Sequence, residues 1–275
     1  MKYGEMVMKI IETIDLFENM DKVHMDISDM ACVSLGQEWN AKDVCSVFSR
    51  IYMIMKGTAK IVCGDKIIDL EPGNIYVIPA GVKFSYSCEK YMEKIYFHFS
   101  ILLPDYQELF NEFSQCIIIK NQTKLIKDIR QKISENKISN IFAIKAALYD
   151  IALKCILTEP KADEININYS EPVIKIKNYI ETNLSASLTV TQIADNMFIS
   201  TSKLQKLFKK EMGKPVGKYI DDSLMYIAER EVRRGEYSLN EISSMLGFCD
   251  QFYFSRRFCE RFGISPLKYR KRFML

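Results

Sequence analysis

The chain has 275 residues, 48% of them apolar, with 16 Phe and 15 Tyr, which supplies core material for two domains and excludes wholesale disorder. The net charge of +3 is unevenly spread: from Glu171 onward 18 Lys and Arg face 12 Asp and Glu, so the first 170 residues are weakly acidic. An acidic front and a basic back suit an effector module joined to a nucleic-acid module.

The eight cysteines have no CxxC spacing and no histidine beside any two of them, which argues against a zinc site. Glu5, Glu12, Asp15 and Glu18 interrupt what would be the apolar core of a signal peptide, and no apolar run reaches the roughly eighteen residues of a membrane span. The expectation is a soluble, cytoplasmic protein with no membrane partner and with reduced cysteines that mostly fill cores.

In chain order, Gly4 to Asn19 predicts an amphipathic helix, with Val7, Ile10, Ile11, Ile14 and Phe17 on one face. From Ala31 to Phe99, runs rich in Ile, Val, Tyr and Phe are broken by Lys56-Gly57, Gly64-Asp65, Pro72-Gly73-Asn74 and Pro79-Ala80-Gly81. Turn signals at this spacing predict antiparallel strands in a barrel or sandwich. The stretch LEPGNIYVIPAG, Leu70 to Gly81, resembles the strand and turns of a cupin barrel, a small jelly roll, which implies an interior of ligand size.

Metal-binding cupins carry a histidine ligand where this chain has Phe84, and His24 and His98 are the only histidines. A multi-histidine metal site cannot be assembled from two, so no catalytic residue, metal ligand or cofactor is expected. In KIYFHF, Lys94 to Phe99, alternation puts Tyr96 and His98 on one face and Ile95, Phe97 and Phe99 on the other. Trp39, the single tryptophan, reads as a plug of the barrel end or as a stacking surface for a sugar. Arg50 and Tyr86 are further polar candidates for the interior.

Asp105 to Thr158 returns to helical period. Ile141, Ile144, Leu148, Ile151 and Cys155 step by three and four, the seam of a helix packed on a partner helix. That partner is either the same helix of a second chain or the stripe Leu125, Ile129 and Ile133. EPKADEININYSE, from Glu159 to Glu171, reads as a linker, and a helix from Pro172 to Asn183 follows. The fold class predicted is α+β multidomain: a cupin-like β-barrel with an N-terminal helix over 1–104, a helical segment over 105–158, a linker over 159–171 and an all-α domain over 172–275.

The last forty residues hold the strongest pattern. Leu239, Ile242 and Leu246 keep helical spacing before Gly247, and Phe254 and Phe258 keep it afterwards, so Gly247 marks the turn of a helix-turn-helix. The outer face of the second helix carries Gln251, Ser255, Arg256 and Arg257, donors suited to base edges and phosphates. A second copy precedes it, with Leu204, Phe208, Gly213 and Tyr219 matching Phe254, Phe258, Gly263 and Tyr269 at an offset of fifty. Two units in tandem are predicted, joined by one helix.

These residues, with Ile193, Ala194, Ser200, Phe248, Pro266 and Arg270, resemble the DNA-binding region of the AraC/XylS family of bacterial transcription regulators. The joining helix departs from that family at Leu224, usually basic, and at Glu231, usually apolar, and Asp221 and Asp222 dilute its positive charge.

The resemblance implies double-stranded promoter DNA as a partner. Contacts would come from Ser202, Lys203, Gln205 and Lys206 of the first recognition helix and Gln251, Phe252, Tyr253, Ser255 and Arg256 of the second. Arg256 and Gln205 can make bidentate base contacts, while Lys209 and Arg257 suit phosphates. It further implies a small-molecule effector such as a sugar, with Tyr96 where sugar-sensing relatives line their pocket, and Trp39, Arg50, Tyr86 and His98 around it. A homodimer through the Ile141–Cys155 seam and a contact with RNA polymerase complete the implied partners. An effector-independent regulator, whose barrel serves dimerisation or protein contacts, is the alternative; an enzyme with a DNA-binding tail lacks the residues it would need.

Overall fold

The computed structural model describes residues 23–103, 108–135, 137–163 and 169–273. The helix expected over residues 4–19 lies outside the described residues, as do residues 164–168 of the expected linker.

The strands are β1 (His24–Leu35), β2 (Asn40–Val44), β3 (Ser49–Gly57), β4 (Ala59–Cys63), β5 (Lys66–Leu70), β6 (Ile75–Ile78), β7 (Phe84–Ser87), β8 (Met92–Leu102) and β9 (Ile117–Ile119). They pair antiparallel in two sheets, ordered β1-β8-β3-β6-β9 and β2-β7-β4-β5. The expected barrel is therefore a sandwich, with no hydrogen-bonded ring joining the two sheets among the described residues. Glycine punctuates it where the sequence indicated: at Gly57 (φ 69°) an added Cβ would lie 2.0 Å from the Tyr91 carbonyl oxygen, so only glycine fits.

Strand alternation gives the first sheet two different faces. Ile51, Met53, Ile75, Val77, Ile95, Phe97 and Phe99 form the core beneath the helices. The intervening Tyr52, Ile54, Tyr76, Ile78 and Met92 pack against Ile61, Leu70 and Phe84 of the second sheet.

Two helices, α1 (Thr123–Glu135) and α2 (Ile138–Ile156), cover the first face, followed by the short α3 (Pro160–Asp163). Here the expected dimer seam is corrected. Ile144, Leu148, Ile151 and Cys155 are buried within the chain, in one core with the sheet and with Ile126 and Ile129 of α1. Their spacing does mark a packed face, but its partner is the chain's own sheet and α1. Ile141 alone of the five is open, 49% exposed, and the outward side of α2 carries Ile138, Phe142, Tyr149 and Leu153.

The remaining helices are α4 (Glu171–Thr182), α5 (Val190–Asn196), α6 (Thr201–Met212), α7 (Val216–Arg234), α8 (Leu239–Met245), α9 (Gln251–Phe262) and α10 (Pro266–Phe273). They enclose two small cores of similar make. One gathers Ile193, Leu204, Phe208 and Tyr219, and the other gathers Ile242, Phe254, Phe258 and Tyr269. Helix α7 serves both, giving Val216 and Tyr219 to the first and Leu224, Ala228 and Val232 to the second.

The cysteine expectation is also corrected. Cys63 and Cys116 are joined as a disulfide across 53 residues of sequence, because the segment leading into β9 crosses beside β4. Of the other six, Cys88 and Cys155 are buried, while Cys45, Cys249 and Cys259 are exposed.

Candidate functional site

Both helix-turn-helix units are built by the same local devices. Helices α5 and α8 open with capping boxes, Thr189 with Gln192 and Ser238 with Glu241, each satisfying two end donors reciprocally. The following helices are capped in turn: Ser200 Oγ accepts from the Lys203 N–H at 3.2 Å, and Asp250 accepts from the Tyr253 N–H at 2.7 Å. That backbone hydrogen bond holds the Asp250 carboxyl below its usual range. At the turn itself both units need a positive φ, supplied by Phe198 (54°) in the first and Gly247 (71°) in the second.

Packing fixes which side of each second helix meets solvent. On α6, Leu204, Phe208 and Met212 are buried, and Ser202, Lys203, Gln205, Lys206 and Lys209 are all exposed on the other side. On α9, Phe254 and Phe258 are buried, Arg256 is exposed, and Phe252 is 79% exposed. Gln251, Tyr253 and Ser255 are half-buried beside them.

Arg257 departs from the phosphate role expected of it. Its guanidinium is ion-paired with Asp221 of α7 and donates to the Tyr253 hydroxyl at 3.2 Å, because the helix places it on the flank facing α7. Asp222 likewise sits 2.9 Å from Lys218 and 3.3 Å from Arg261. The two aspartates thus tie α7 to α9. Leu224 is buried in the second core, and Glu231, though buried, meets Arg230 at 3.1 Å and Arg234 at 3.5 Å. Arg270 donates to the Val232 and Tyr237 carbonyls, at 3.1 and 2.6 Å, and closes the end of α7.

Of the five residues expected around an effector, Arg50, Tyr86, Tyr96 and His98 lie on strands, and Trp39, in the turn before β2, packs against the core between the two sheets. Trp39 stacks on Tyr86 with centroids 4.3 Å apart, and Tyr96 and His98 are neighbours at 4.8 Å. The Arg50 guanidinium sits 4.7 Å from the Phe48 ring and donates to Ser46 Oγ at 2.6 Å. Cross-strand register sets this up, with Tyr52 opposite Tyr96 and Arg50 opposite His98. The Tyr96 hydroxyl donates to Asp29 at 3.0 Å, and burial together with that carboxylate pushes its pKa up to about 12.

Lys94 belongs to the same cluster and was missed by sequence reasoning. Its ammonium lies 3.5 Å from the Tyr52 ring centroid and 4.0 Å from that of Trp39. Burial, reinforced by Arg50, lowers its pKa well below the usual lysine value. The signal was present in the strand alternation of KIYFHF, which puts Lys94 on the face of Tyr96 and His98.

The two regions touch. Arg233 of α7 is ion-paired with Asp26 of β1 and with Glu229 at 3.2 Å, and His24 Nε2 lies 3.0 Å from the Tyr226 hydroxyl. Among the described residues no helix is long and apolar enough to cross a membrane, and no three His, Cys, Asp or Glu side chains could hold a metal.

Comparison with known proteins agrees with this layout. A helix-turn-helix domain family matches residues 193–272. The lactose operon transcription activator of Staphylococcus xylosus is 25% identical over 241 residues, covering 82% of this chain and 85% of that protein. The Msm operon regulatory protein of Streptococcus mutans is 25% identical over 80% of this chain and 83% of its own length. Among solved structures, ToxT of Vibrio cholerae O395, crystallised with a substituted butenoic acid, covers 90% of this chain and 99% of its own at a TM-score of 0.50. At 12% identity that likeness concerns the fold.

Proposed function

We propose that the chain is a transcription regulator of the AraC/XylS type, which binds promoter DNA as a homodimer under the control of a small molecule held between its two sheets. Helices α6 and α9 would enter successive major-groove segments on one side of the duplex. The observation that carries this is the duplication: two units with equivalent caps and buried faces leave equivalent outer faces rich in donors. Helix α7, at 19 residues, spans about 28 Å, close to the ~34 Å of one duplex turn.

Arg256 and Gln205 are the base readers in this reading, and Lys203, Lys206 and Lys209 meet phosphates. Phe252 suits a thymine methyl, because a ring so exposed has no core to join. Control by a small molecule is supported by the polar and aromatic cluster of Trp39, Arg50, Tyr86, Tyr96 and His98, and a sugar-linked role by the named activity of the lactose operon relative. The homodimer would form on the outward side of α2, through Ile138, Phe142 and Leu153. RNA polymerase is the further partner that such a regulator would contact.

The test is binding of the full chain to fragments from upstream of its neighbouring genes, by fluorescence anisotropy at physiological salt. Arg256→Ala and Gln205→Ala should each weaken a specific site by about 1–3 kcal/mol and relax one base position. If both variants bind every fragment as the parent does, α6 and α9 are not the reading helices.

A further inference from the structure

We propose that the molecule held between the sheets is an organic acid whose carboxylate is neutralised by Lys94, an inference that rests on reading the inter-sheet space as the effector site. Lys94 is 3% exposed, on a strand in the middle of the sandwich. Its ammonium is enclosed by the rings of Tyr52, Trp39 and Tyr96, at 3.5, 4.0 and 5.9 Å, and makes no hydrogen bond or ion pair with any described residue.

A buried ammonium without an anion is costly, and ring faces offset only part of that cost. Two further groups frame the site. Arg50, 4% exposed, lies on the same sheet face and adds a second positive charge. Asp29 already accepts from the Tyr96 hydroxyl at 3.0 Å and stands 3.4 Å from His98 Nδ1. A methionine or leucine would fill the position of Lys94 in a purely structural core, so the charge is explained by something that is present only part of the time.

A carboxylate supplies the missing counter-charge, and water exclusion between the sheets would make the pair strong. The body of the ligand would lie on Trp39 and Tyr86, which stack on each other and are half-buried, so that the cluster reaches solvent on that side. A neutral sugar would satisfy the rings and leave the ammonium as it is.

Trp39 provides the readout, being the only tryptophan and 4.0 Å from the charge in question. The full chain is titrated, following tryptophan emission, with matched acids and neutral counterparts: glucuronate and glucose, benzoate and benzyl alcohol, hexanoate and hexanol. At least one acid should give a saturable change and bind at least tenfold tighter than its counterpart. Lys94→Met should lose that preference and Lys94→Arg should keep it. Lys94→Met should also raise the ligand-free Tm by about 2–4 °C, since it removes an unpaired buried charge.

If a neutral member binds as tightly as its acid, or Lys94→Met binds the acid like the parent, the anion inference is overturned while the effector site stands. If Lys94→Met unfolds and no compound changes the emission of the parent, Lys94 is structural and the effector reading falls with it.

Discussion

Asp26 of β1 forms an ion pair with Arg233 of α7, joining a strand of the sandwich to the helix that holds the two helix-turn-helix units together. Three residues along the same strand, Asp29 accepts the Tyr96 hydroxyl, and the register of β1 against β8 shifts between Ile27 and Asp29. A ligand that moved Tyr96, as proposed, would therefore act on the strand that grips α7. Coupling of this kind requires only that the ligand prefer one arrangement of β1 and α7 over another, typically by about 1–3 kcal/mol.

The first prediction concerns that grip. Arg233 also meets Glu229, which burial pushes above the usual carboxylate range and which accepts from the Tyr269 hydroxyl at 2.9 Å. Arg233→Ala leaves two partly buried carboxylates without their cation and should cost about 1–2 kcal/mol in urea unfolding. Asp26→Asn should cost less, and the double variant should show a coupling of about 0.5–1 kcal/mol. Additive costs would mean that the pair does not hold the regions together.

The second concerns the outer side of α2. Phe142 is 71% exposed and Leu153 is 52% exposed, so Phe142→Glu and Leu153→Glu should fold normally and, with the proposed dimer on this side of α2, give monomers in sedimentation at tens of micromolar. Leu148→Glu places a charge at a site with no exposure and should unfold the region instead, by several kcal/mol. A dimer that survives both surface changes lies elsewhere.

The third concerns the turns. At Gly247 an added Cβ would meet Ser185 Oγ at 2.1 Å and would also demand a φ of +71° from a residue with a side chain. Gly247→Ala should cost more than about 1 kcal/mol. Phe198 holds φ 54° and is 95% exposed, so Phe198→Gly should be neutral or stabilising by up to about 1 kcal/mol, read by thermal melts. Equal losses at the two positions would contradict the equivalence of the turns.

The fourth is a pH dependence. Burial raises the Glu108 pKa from 4.5 to about 8, against a 3.2 Å hydrogen bond from Ser49 that favours the charged form. The folded chain keeps this proton longer than the unfolded chain does, so its contribution is full below about pH 4.5 and is lost as pH rises towards about 8. The slope within that window is at most about 1.4 kcal/mol per pH unit. Glu108→Gln should flatten it and stabilise the chain at pH 8. An unchanged slope would mean that Glu108 ionises freely in the fold.

Much of this architecture is written in local pattern. Gly247, Phe254 and Phe258 mark a helix-turn-helix because a turn glycine and a buried helical stripe are properties of short segments, and the repeat of the stripe at Leu204 and Phe208, with Gly213 matching Gly263, doubles the signal. The turn of the first unit, with its positive φ at Phe198, had no glycine to announce it. What was hidden depends on partners distant in sequence. The stripe from Ile144 to Cys155 shows that a face is buried but not against what, and a sheet uses such a stripe as well as a second helix does. Arg257 has the composition of a phosphate contact, yet Asp221, thirty-six residues away, claims it. Cys63 and Cys116 find each other only through the sheet topology. Lys94 was readable from alternation, but lysine in a strand reads as surface until Tyr52 and Trp39 are seen around it.

Whether both helix-turn-helix units read one duplex is decided by hydroxyl-radical footprinting of the full chain on its promoter site. Two protected segments per chain are expected, about 10.5 base pairs apart on one face of the duplex, with Gln205→Ala weakening one segment and Arg256→Ala the other. A single protected segment, or one that neither substitution alters, would contradict that expectation.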